Sequence, residues 1–368
     1  MAGHQHPHMG PVEPAARHAV PRNGHLLLRE AAVNGRSPGP LAGLRAAQAR
    51  RFERLDPLLP RTAAVPEGEL VTAVGPGDER ACGTLYRAVH GPDSLESLWE
   101  SRVVWEFSPV LGDSGSSGMR AALAALGRRL AHERDRKPAP DPGSGTGTGT
   151  GASTVAVDWP SRDVSVSPAL HAHGFTPSTV LAVRPQDAPS EAVPGRALPP
   201  DGMSVRRATG DDVAQLVHLE LAELRYARSV AGDYVPAGAE RLLRAALAHA
   251  LASTDPILVA EAGDRLLGHA RCCWSSPAGN TAIAHRLREG RWGHIAVLSV
   301  APDVRGRGVG RALVTAAHTE LLTGAVRGSY LHYDPANPLS SVFWPRHGYR
   351  PVWTRWIASP ETVIDRAG

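Results

Sequence analysis

A short pattern that occurs twice is the feature that most constrains the fold of this 368-residue chain. Residues 173–177 read His-Gly-Phe-Thr-Pro, and residues 347–351, which lie 174 positions later, read His-Gly-Tyr-Arg-Pro. The same spacing holds without gaps from 155 to 183, and shorter matches around Gly118 and Gly310 lie 192 positions apart. A Gly/Thr/Pro tract between these anchors accounts for nearly all of the difference between the two spacings. We therefore predict a tandem duplication, in agreement with a length that suggests two domains.

Hydrophobic periodicity is clearest in the second half of the chain. From residue 204 onward, short strands and amphipathic helices follow one another in the order β-α-α-β-β-β-α-β-α-β. Asp211 is predicted to cap the first of these helices, and a second amphipathic helix is predicted at 239–252. Mixed strands and helices of this kind predict an α/β (α+β) domain.

Composition suggests where the domains begin and end. The first residues carry His4, His6 and His8 among prolines, which predicts a disordered tail, with metal capture by the histidines as the alternative. A Gly/Thr/Pro tract has nothing to bury and predicts a flexible insertion. In chain order, the predicted parts are a disordered tail at 1–24, a first copy at 25–184 with the insertion at 138–153, a linker at 185–203 and a second copy at 204–368.

Charge and cysteine content exclude several classes of protein. The formal net charge is +4, but only one basic residue is a lysine, Lys137, and aromatic residues make up 5%. A nucleic-acid surface needs clustered basic side chains with stacking aromatics, so we expect no nucleic-acid partner. Three cysteines, two of them adjacent, cannot form a disulfide framework, and no apolar run could span a membrane. The N-terminus lacks a signal-peptide pattern. We expect a cytoplasmic protein with no membrane partner and no metal.

One segment carries a recognisable binding site. Residues 298–313 form an apolar strand that runs into a glycine-rich turn and then into a helix. The glycines let backbone N–H groups converge, and the helix N-terminus adds partial positive charge, which suits a pyrophosphate. Arg311 stands where a dinucleotide-binding G-x-G-x-x-G needs glycine, and no Gly-Lys-Ser/Thr follows. These two nucleotide-binding motifs are therefore excluded.

The pattern Arg-x-x-Gly-x-Gly at 305–310 resembles the pyrophosphate-binding motif of the GNAT family of acyl-CoA-dependent N-acetyltransferases. The element order of the second copy is also that of the family. The resemblance implies two tandem GNAT-like domains, each a mixed, mostly antiparallel central sheet flanked by helices. It implies acetyl-CoA as cosubstrate and a small-molecule or peptide amine as acceptor. The pair of copies with the active one C-terminal is also similar to the arrangement in the mycothiol synthases.

The resemblance implies roles for individual residues. Backbone amides of the glycine-rich turn would wrap the pyrophosphate of CoA, and the preceding strand would pair with the pantetheine arm. Asn337 would bond the same arm. The cofactor-binding residues implied in this way are Leu298, Ser299, Val300, Arg305, Gly306, Arg307, Gly308, Val309, Gly310, Arg311 and Asn337.

The second copy departs from the family at one position. Seven residues after Asn337 the family usually has a tyrosine that protonates the departing thiolate, and this chain has Trp344. An indole N–H cannot act as that acid. The alternatives for this proton are water, Tyr349, Tyr333 and His347.

The candidate base is His294, six residues before Val300, where the family often places a carboxylate. An imidazole with a reference pKa near 6.5 can take a proton from an ammonium substrate. The alternative interpretation is a half-buried strand histidine with no chemical role. Glu261 on the second strand is a fallback base.

The first copy lacks these groups. When the first copy is aligned on Gly118, Asp113 stands at the position of Arg305 and Ser116 at the position of Gly308. Asp163 replaces the asparagine, and Leu170 takes the position of the acid. An aspartate that faces a pyrophosphate repels it. We predict a degenerate domain that is structural or gates the substrate, with residual CoA binding left open.

Three functional hypotheses remain. The first is an enzyme that transfers an acetyl group from acetyl-CoA to a primary amine by direct attack in a ternary complex. The second is a non-catalytic acyl-CoA-binding module, which the missing tyrosine favours. The third is a nucleic-acid or protein-interaction module. The sequence does not identify the acceptor amine, and the duplication predicts a monomer with an internal pseudo-dimer.

Overall fold

A computed structural model describes residues 40–60, 68–77, 80–136, 153–188, 202–277, 283 and 285–367. The predicted tail at 1–24 lies outside the described residues. So do nearly all of the predicted insertion at 138–153 and most of the predicted linker at 185–203.

The first half of the chain begins with a helix and continues as strands with two further helices. Gly112 and Gly115, both with positive φ (59° and 55°), make the tight turn that leads from the third strand into the second helix. The elements are α1 (Pro40–Leu55), β1 (Glu69–Val74), β2 (Arg80–Val89), β3 (Val103–Val110), α2 (Gly115–Arg136), β4 (Ser153–Pro160), α3 (Ser167–Ala172) and β5 (Thr176–Pro185).

The second half has the element order predicted from its periodicity, followed by one more short helix. The elements are β6 (Ser204–Arg207), α4 (Val213–Val230), α5 (Ala239–Leu251), β7 (Ile257–Ala262), β8 (Arg265–Ser275), β9 (Arg291–Val300), α6 (Val309–Leu321), β10 (Val326–Tyr333), α7 (Ser340–Arg346), β11 (Arg350–Ala358) and α8 (Pro360–Asp365).

The predicted cap of α4 is wrong by one residue. The N-cap of α4 is Asp212, not Asp211, and its side chain caps no N–H group of α4. It instead accepts a hydrogen bond from the backbone N–H of Thr209 at 2.7 Å, in a capping box at the start of the preceding turn. A single 3₁₀ turn at Gly210–Asp212 precedes α4 and shifts the capping position along the chain.

The described strands form one mixed sheet in the order β1-β2-β3-β4-β11-β5-β10-β9-β8-β7-β6. Neighbouring strands are antiparallel except in the pairs β3–β4 and β9–β10, which confirms a mixed, mostly antiparallel sheet flanked by helices. The strands do not separate into two central sheets. The last strand of each half is exchanged, because β5 pairs with β10 and β11 pairs with β4. The pairing of β5 with β11 then joins the halves into one sheet.

Equivalent positions of the two halves repeat the same local geometry 174 residues apart. Gly174 and Gly348 both have positive φ, at 81° and 79°. The Nδ1 atom of His173 lies 2.9 Å from the carbonyl oxygen four residues earlier, and that of His347 lies 2.8 Å from its own. These matches agree with the predicted duplication, which stays a prediction.

The exchange of strands also shapes the hydrophobic core. Val180 and Ala182 of β5 are buried in the cluster under α4 and α6, whereas Val352 and Trp353 of β11 are buried in the cluster of the first half. Each core is therefore completed by a strand of the other half, so neither half can bury its core without the other. Among the described helices, none is long and apolar enough to cross a membrane.

Candidate functional site

The sheet opens where β9 separates from β10. β9 stays paired with β8 from Trp292 to Val300, apart from one bulge. Its parallel register with β10 ends at the pair His294 and Tyr330, although both strands continue beyond it. β9 has a bulge opposite Arg271 and Cys272 of β8, and this bulge bends the strand. The result is an opening inside the sheet with strand backbone along its edge.

A glycine-rich turn closes one end of this opening. Gly306 and Gly308 have φ values of 76° and 85°, which favour glycine because other side chains meet the backbone there. Gly308 is the N-cap of α6. The first backbone N–H groups of α6 have no partner within the helix and carry its partial positive charge. The predicted glycine-rich turn that opens a helix is thus present, and its binding of an anion stays a prediction.

A cavity of about 500 Å³ extends from the opening, past this turn, to α7. Of the residues predicted to bind the cofactor, those that line it are Leu298, Val300, Arg305, Gly306, Gly308, Val309, Gly310, Arg311 and Asn337. The other two do not line the cavity. The Ser299 hydroxyl points away and donates to the Leu219 carbonyl at 2.9 Å, and the Arg307 side chain is exposed.

Arg305 is held by the protein and does not point freely at the turn. Its Nε donates to the Val300 carbonyl at 3.1 Å, its Nη2 lies 3.4 Å from a Glu223 oxygen, and its guanidinium lies 5.0 Å from the Tyr226 ring centre. Burial raises the pKa of Glu223, and the nearby Arg305 charge counters this rise. Glu223 and Tyr226 also line the cavity, and the motif gave no sign of them. Arg305 therefore joins β9 to α4.

Asn337 is buried and uses its side-chain oxygen within the protein. Oδ1 accepts from the backbone N–H groups of Leu339 at 2.9 Å and Ser340 at 3.2 Å, which caps the start of α7. The Nδ2 group makes no hydrogen bond to the described residues. A cavity-lining asparagine fixed in this way presents Nδ2 as a donor to a ligand.

Trp344 lies in the wall of the cavity and is 7% exposed. Its ring makes edge-to-face contacts with Phe343 at 5.0 Å and with Tyr349 at 5.4 Å between centroids. Tyr349 itself does not line the cavity: its hydroxyl is bonded to His318 at 2.9 Å and to Ser329 at 2.7 Å. Burial raises the pKa of Tyr349, which opposes ionisation. Tyr349 is therefore unsuited to protonate a group bound in the cavity.

His347 is the one alternative acid that does line the cavity. Its Nδ1–H donates to the Phe343 carbonyl at 2.8 Å, which leaves Nε2 with a lone pair. Nε2 is buried and has no hydrogen-bond partner among the described residues. Burial lowers the pKa of His347, and the Arg311 charge lowers it further. In this state the imidazole is neutral and Nε2 accepts a hydrogen bond instead of giving a proton.

His294 lies at the apex of the opening and does not line the cavity. It is buried, stacks on Tyr330 at 4.3 Å between ring centroids, and has its Nδ1 atom 3.7 Å from Cys273 Sγ. Its cross-strand partner Cys273 shares a face of β8 with Arg271, which bonds to Glu220 of α4. His294 therefore faces the α4 side of the sheet.

Glu261, the fallback base, lies away from this region. It sits near the sheet edge on β7, 2.6 Å from an Arg206 nitrogen, and also accepts from Ser204 at 3.2 Å. A carboxylate engaged in this ion pair, with no place in the cavity wall, has no access to the reaction centre.

In the first half, helix α1 occupies the counterpart of the cavity. Arg51 makes a bidentate ion pair of 2.7–3.0 Å with Asp163, which is the repeat counterpart of Asn337. The same guanidinium packs against Gly115 at the start of α2, which corresponds to the start of α6. Gln48 bonds to the backbone at the end of β3 through both its amide nitrogen and its amide oxygen. The predicted loss of the binding apparatus is therefore accompanied by a protein segment in its place.

The predicted alignment of Gly118 with Gly310 does not hold in three dimensions. Gly118 is the fourth residue of α2, whereas Gly310 is the second residue of α6. The turn between β3 and α2 is shorter than the turn between β9 and α6, because it has no counterpart of the 3₁₀ turn at Pro302–Val304.

Comparison with known proteins gives a family match for the second half. Residues 219–349 match the family model described as "Acetyltransferase (GNAT) family". None of the curated proteins matches the chain significantly.

Solved structures extend the similarity of fold over both halves. A GCN5-related N-acetyltransferase from Sphaerobacter thermophilus covers 87% of this chain and 92% of its own, with 16% identity and a TM-score of 0.50. A GNAT family acetyltransferase from Brucella melitensis, solved in complex with acetyl-CoA, covers 42% of this chain and 86% of its own, with 21% identity and a TM-score of 0.31. The first of these supports a shared fold that includes the N-terminal half.

Proposed function

We propose, on the premise that this chain belongs to the acetyltransferase (GNAT) family through its residues 219–349, that it transfers an acetyl group from acetyl-CoA to a primary amine. The observation that carries the proposal is the opening between β9 and β10 with the glycine-rich turn at one end. An anionic tail is held at such a turn, and a linear arm that follows it can lie along exposed strand backbone.

The cavity fits the cosubstrate in size and chemistry. Its volume of about 500 Å³ is in the range of small-molecule sites. The amides of Val309 and Gly310 at the start of α6 suit the pyrophosphate, and the Nδ2 group of Asn337 suits an amide of the pantetheine arm. Gly310 has no side chain where a methyl group would lie 3.4 Å from Phe343 and 3.6 Å from Val300. This space between β9 and α7 is where the arm would pass.

The reaction requires two protons to leave the nitrogen of the ammonium acceptor and one to reach the sulfur. The ammonium form of the acceptor loses one proton before its nitrogen attacks the thioester carbon. As the carbon–sulfur bond breaks, the nitrogen loses a second proton and the thiolate takes up one. The products are an amide and CoA thiol, with one proton released. Acetyl-CoA supplies the activated carbonyl, and the protein binds it, orients it and accepts the proton.

His294 is the residue that we assign to proton acceptance. It lies at the apex of the opening on the side where the acceptor would approach. For the leaving thiolate, the buried Tyr349 and the neutral, acceptor-type His347 are both unsuited. Tyr333 does not line the cavity, and burial raises its pKa. We therefore propose that water protonates the thiolate, whose pKa of about 8.5 makes a dedicated acid dispensable.

A non-catalytic acyl-CoA-binding protein is the second candidate, and Trp344 in the usual position of the acid is the observation that favours it. In this candidate the same cavity holds acyl-CoA without turnover. We further propose that the protein acts as a monomer with an internal pseudo-dimer, because the exchanged strands already join the two halves.

Two measurements separate the candidates. Calorimetry with acetyl-CoA and with CoA tests binding, and a thiol-release assay with a panel of primary amines tests transfer. We expect binding and amine-dependent release; binding without release would support the second candidate, and no binding would contradict both. Gly308→Glu should abolish binding by bulk and negative charge. The matched control is Gly43→Glu, since Gly43 is exposed on α1 with nothing within 4 Å of its added Cβ.

A further inference from the structure

A carboxylate lies in the wall of the cavity, beside the glycine-rich turn. Glu223 lines the cavity together with Arg305 and Gly306, and its side chain is 24% exposed. Its helix α4 lies directly on β9, because the Leu219 carbonyl, one helical turn before Glu223, accepts a hydrogen bond from the Ser299 hydroxyl at 2.9 Å. An ionised carboxylate in this place repels a phosphate that binds at the turn.

Arg305 is the only partner of this carboxylate among the residues that the structure describes. Its Nη2 atom lies 3.4 Å from one carboxylate oxygen, and its Nε atom is engaged by the Val300 carbonyl at 3.1 Å. Glu220, three residues earlier on α4, is 3% exposed and bonds to Arg271 at 3.0 Å and to His269 at 3.2 Å. Glu220 is therefore part of the core, whereas the carboxylate beside the turn is weakly paired and accessible from the cavity.

The charges at this place balance only without a phosphate. Arg305 is one cation, and it faces one carboxylate. When a phosphate binds beside it, two anionic groups share this cation. A proton on Glu223 removes one negative charge and turns the carboxylate into a hydrogen-bond donor. Burial already raises the pKa of Glu223 in spite of the Arg305 charge, and a second anion nearby raises it further.

Other charged and titratable groups share the cavity wall. They are Tyr226 on α4, Arg311 on α6, and Arg346 and His347 on α7. Among the described groups, Arg305 is the one whose charge acts on the Glu223 carboxyl. Burial and the Arg311 charge lower the pKa of His347, which is therefore the second group whose protonation a bound anion would favour. A test of proton uptake has to separate these two residues.

We propose that Glu223 is a further binding residue for acyl-CoA and that it binds the pyrophosphate as the neutral acid, so that binding takes up a proton from solvent. The protonated carboxyl donates its O–H to a phosphate oxygen, and Arg305 then neutralises the phosphate alone. Because the bound state holds more protons than the free state, the affinity falls as the pH rises. This inference rests on the proposed acyl-CoA site.

Calorimetry of the full-length protein with dephospho-CoA tests the inference. This ligand keeps the pyrophosphate and lacks the 3′-phosphate, a monoester that itself titrates near neutral pH. Titrations in two buffers of different ionisation enthalpy give the number of protons taken up. For the wild-type protein we expect net uptake, and a Kd that rises roughly fivefold or more between about pH 5.5 and about pH 8. Pantetheine, which has no phosphate, should bind without this pH dependence.

Glu223→Gln keeps the shape of the side chain and an N–H donor but cannot titrate. We expect this variant to match the wild-type Kd at about pH 5.5, to bind dephospho-CoA roughly fivefold more tightly than the wild type at about pH 8, and to take up no proton. The loss of a merely structural contact would not increase affinity. Glu320→Gln is the matched control, because Glu320 is a helical glutamate paired with one arginine, Arg207, outside the cavity wall. It should change none of these values.

Equal pH dependence in the wild type and in Glu223→Gln would overturn the inference. Loss of the dependence in His347→Gln alone would also overturn it, since the proton would then belong to His347. Equal proton uptake with pantetheine would exclude the phosphate as the cause. Binding of dephospho-CoA to the wild type without proton uptake would contradict this inference alone, whereas absence of binding by CoA and dephospho-CoA would contradict the proposed function. The uptake is measured on the wild-type protein, so the test holds even if Glu223→Gln fails to fold.

Discussion

Gly310→Ala should separate ligand binding from folding. Gly310 lies in the first turn of α6 with ordinary helical φ, so alanine brings no backbone strain and a somewhat better helix propensity. The added methyl would lie 3.4 Å from Phe343 and 3.6 Å from Val300, which is ordinary contact. We expect the free energy of unfolding to change by less than about 1 kcal/mol. The methyl would, however, fill the space that we propose for the pantetheine arm.

The expected loss of affinity follows from overpacking. Extra methyl groups in a filled space cost about 1–3 kcal/mol, which corresponds to roughly 5- to 150-fold in the Kd of CoA. Calorimetry measures this change, and urea unfolding measures stability. Gly43→Ala is the matched control, because it makes the same substitution in α1 with open space around it and should leave the Kd unchanged. A Kd for Gly310→Ala within twofold of the wild-type value would refute the placement of the ligand.

Three other predictions concern folding and the chemical step. Arg51→Met leaves the buried Asp163 without its cation and should cost about 3–5 kcal/mol in urea unfolding, with no gain of a second CoA site by calorimetry. Hydrogen bonds from Arg350 and from a backbone N–H outweigh burial and lower the pKa of Asp56 below 3.8. Its stabilisation is therefore present above pH 3.8 and lost as the pH falls through the lowered pKa, so Asp56→Asn should flatten the acid dependence of stability. Trp344→Phe should change acetyl-CoA affinity more than the single-turnover rate, whereas a rate loss of several orders of magnitude with unchanged affinity would show a catalytic indole.

Local patterns were enough to predict the elements of the second half and the turn that ends β9. The helices there have apolar residues at helical spacing, and the strands alternate, because each element has one buried face. Gly306 and Gly308 were readable because a left-handed backbone conformation strongly favours glycine. Most of the residues predicted to bind the cofactor line one cavity because they lie close together in the chain, whereas their binding of a cofactor stays a prediction.

Contacts between distant segments were not readable. Glu223 and Tyr226 reach the cavity from α4, about eighty residues before the motif, and no local signal marks them. The role of Arg51 was also missed, since its ion pair joins residues 112 positions apart. One buried ion pair did have a local signal. Glu220 interrupts the apolar face of α4, and a charged residue at such a position predicts a buried partner; here the partners are His269 and Arg271.

The sequence by itself determined the element order of the second half, the glycine turn and the positions that replace the usual acid and the first-half asparagine. These follow from side-chain periodicity and backbone conformation, which depend on neighbours in the chain. Only the tertiary structure decided that β5 and β11 are exchanged and that α1 fills the first-half cleft. Strand partners and buried ion pairs are chosen by how whole surfaces pack, so residues far apart in the chain determine them together.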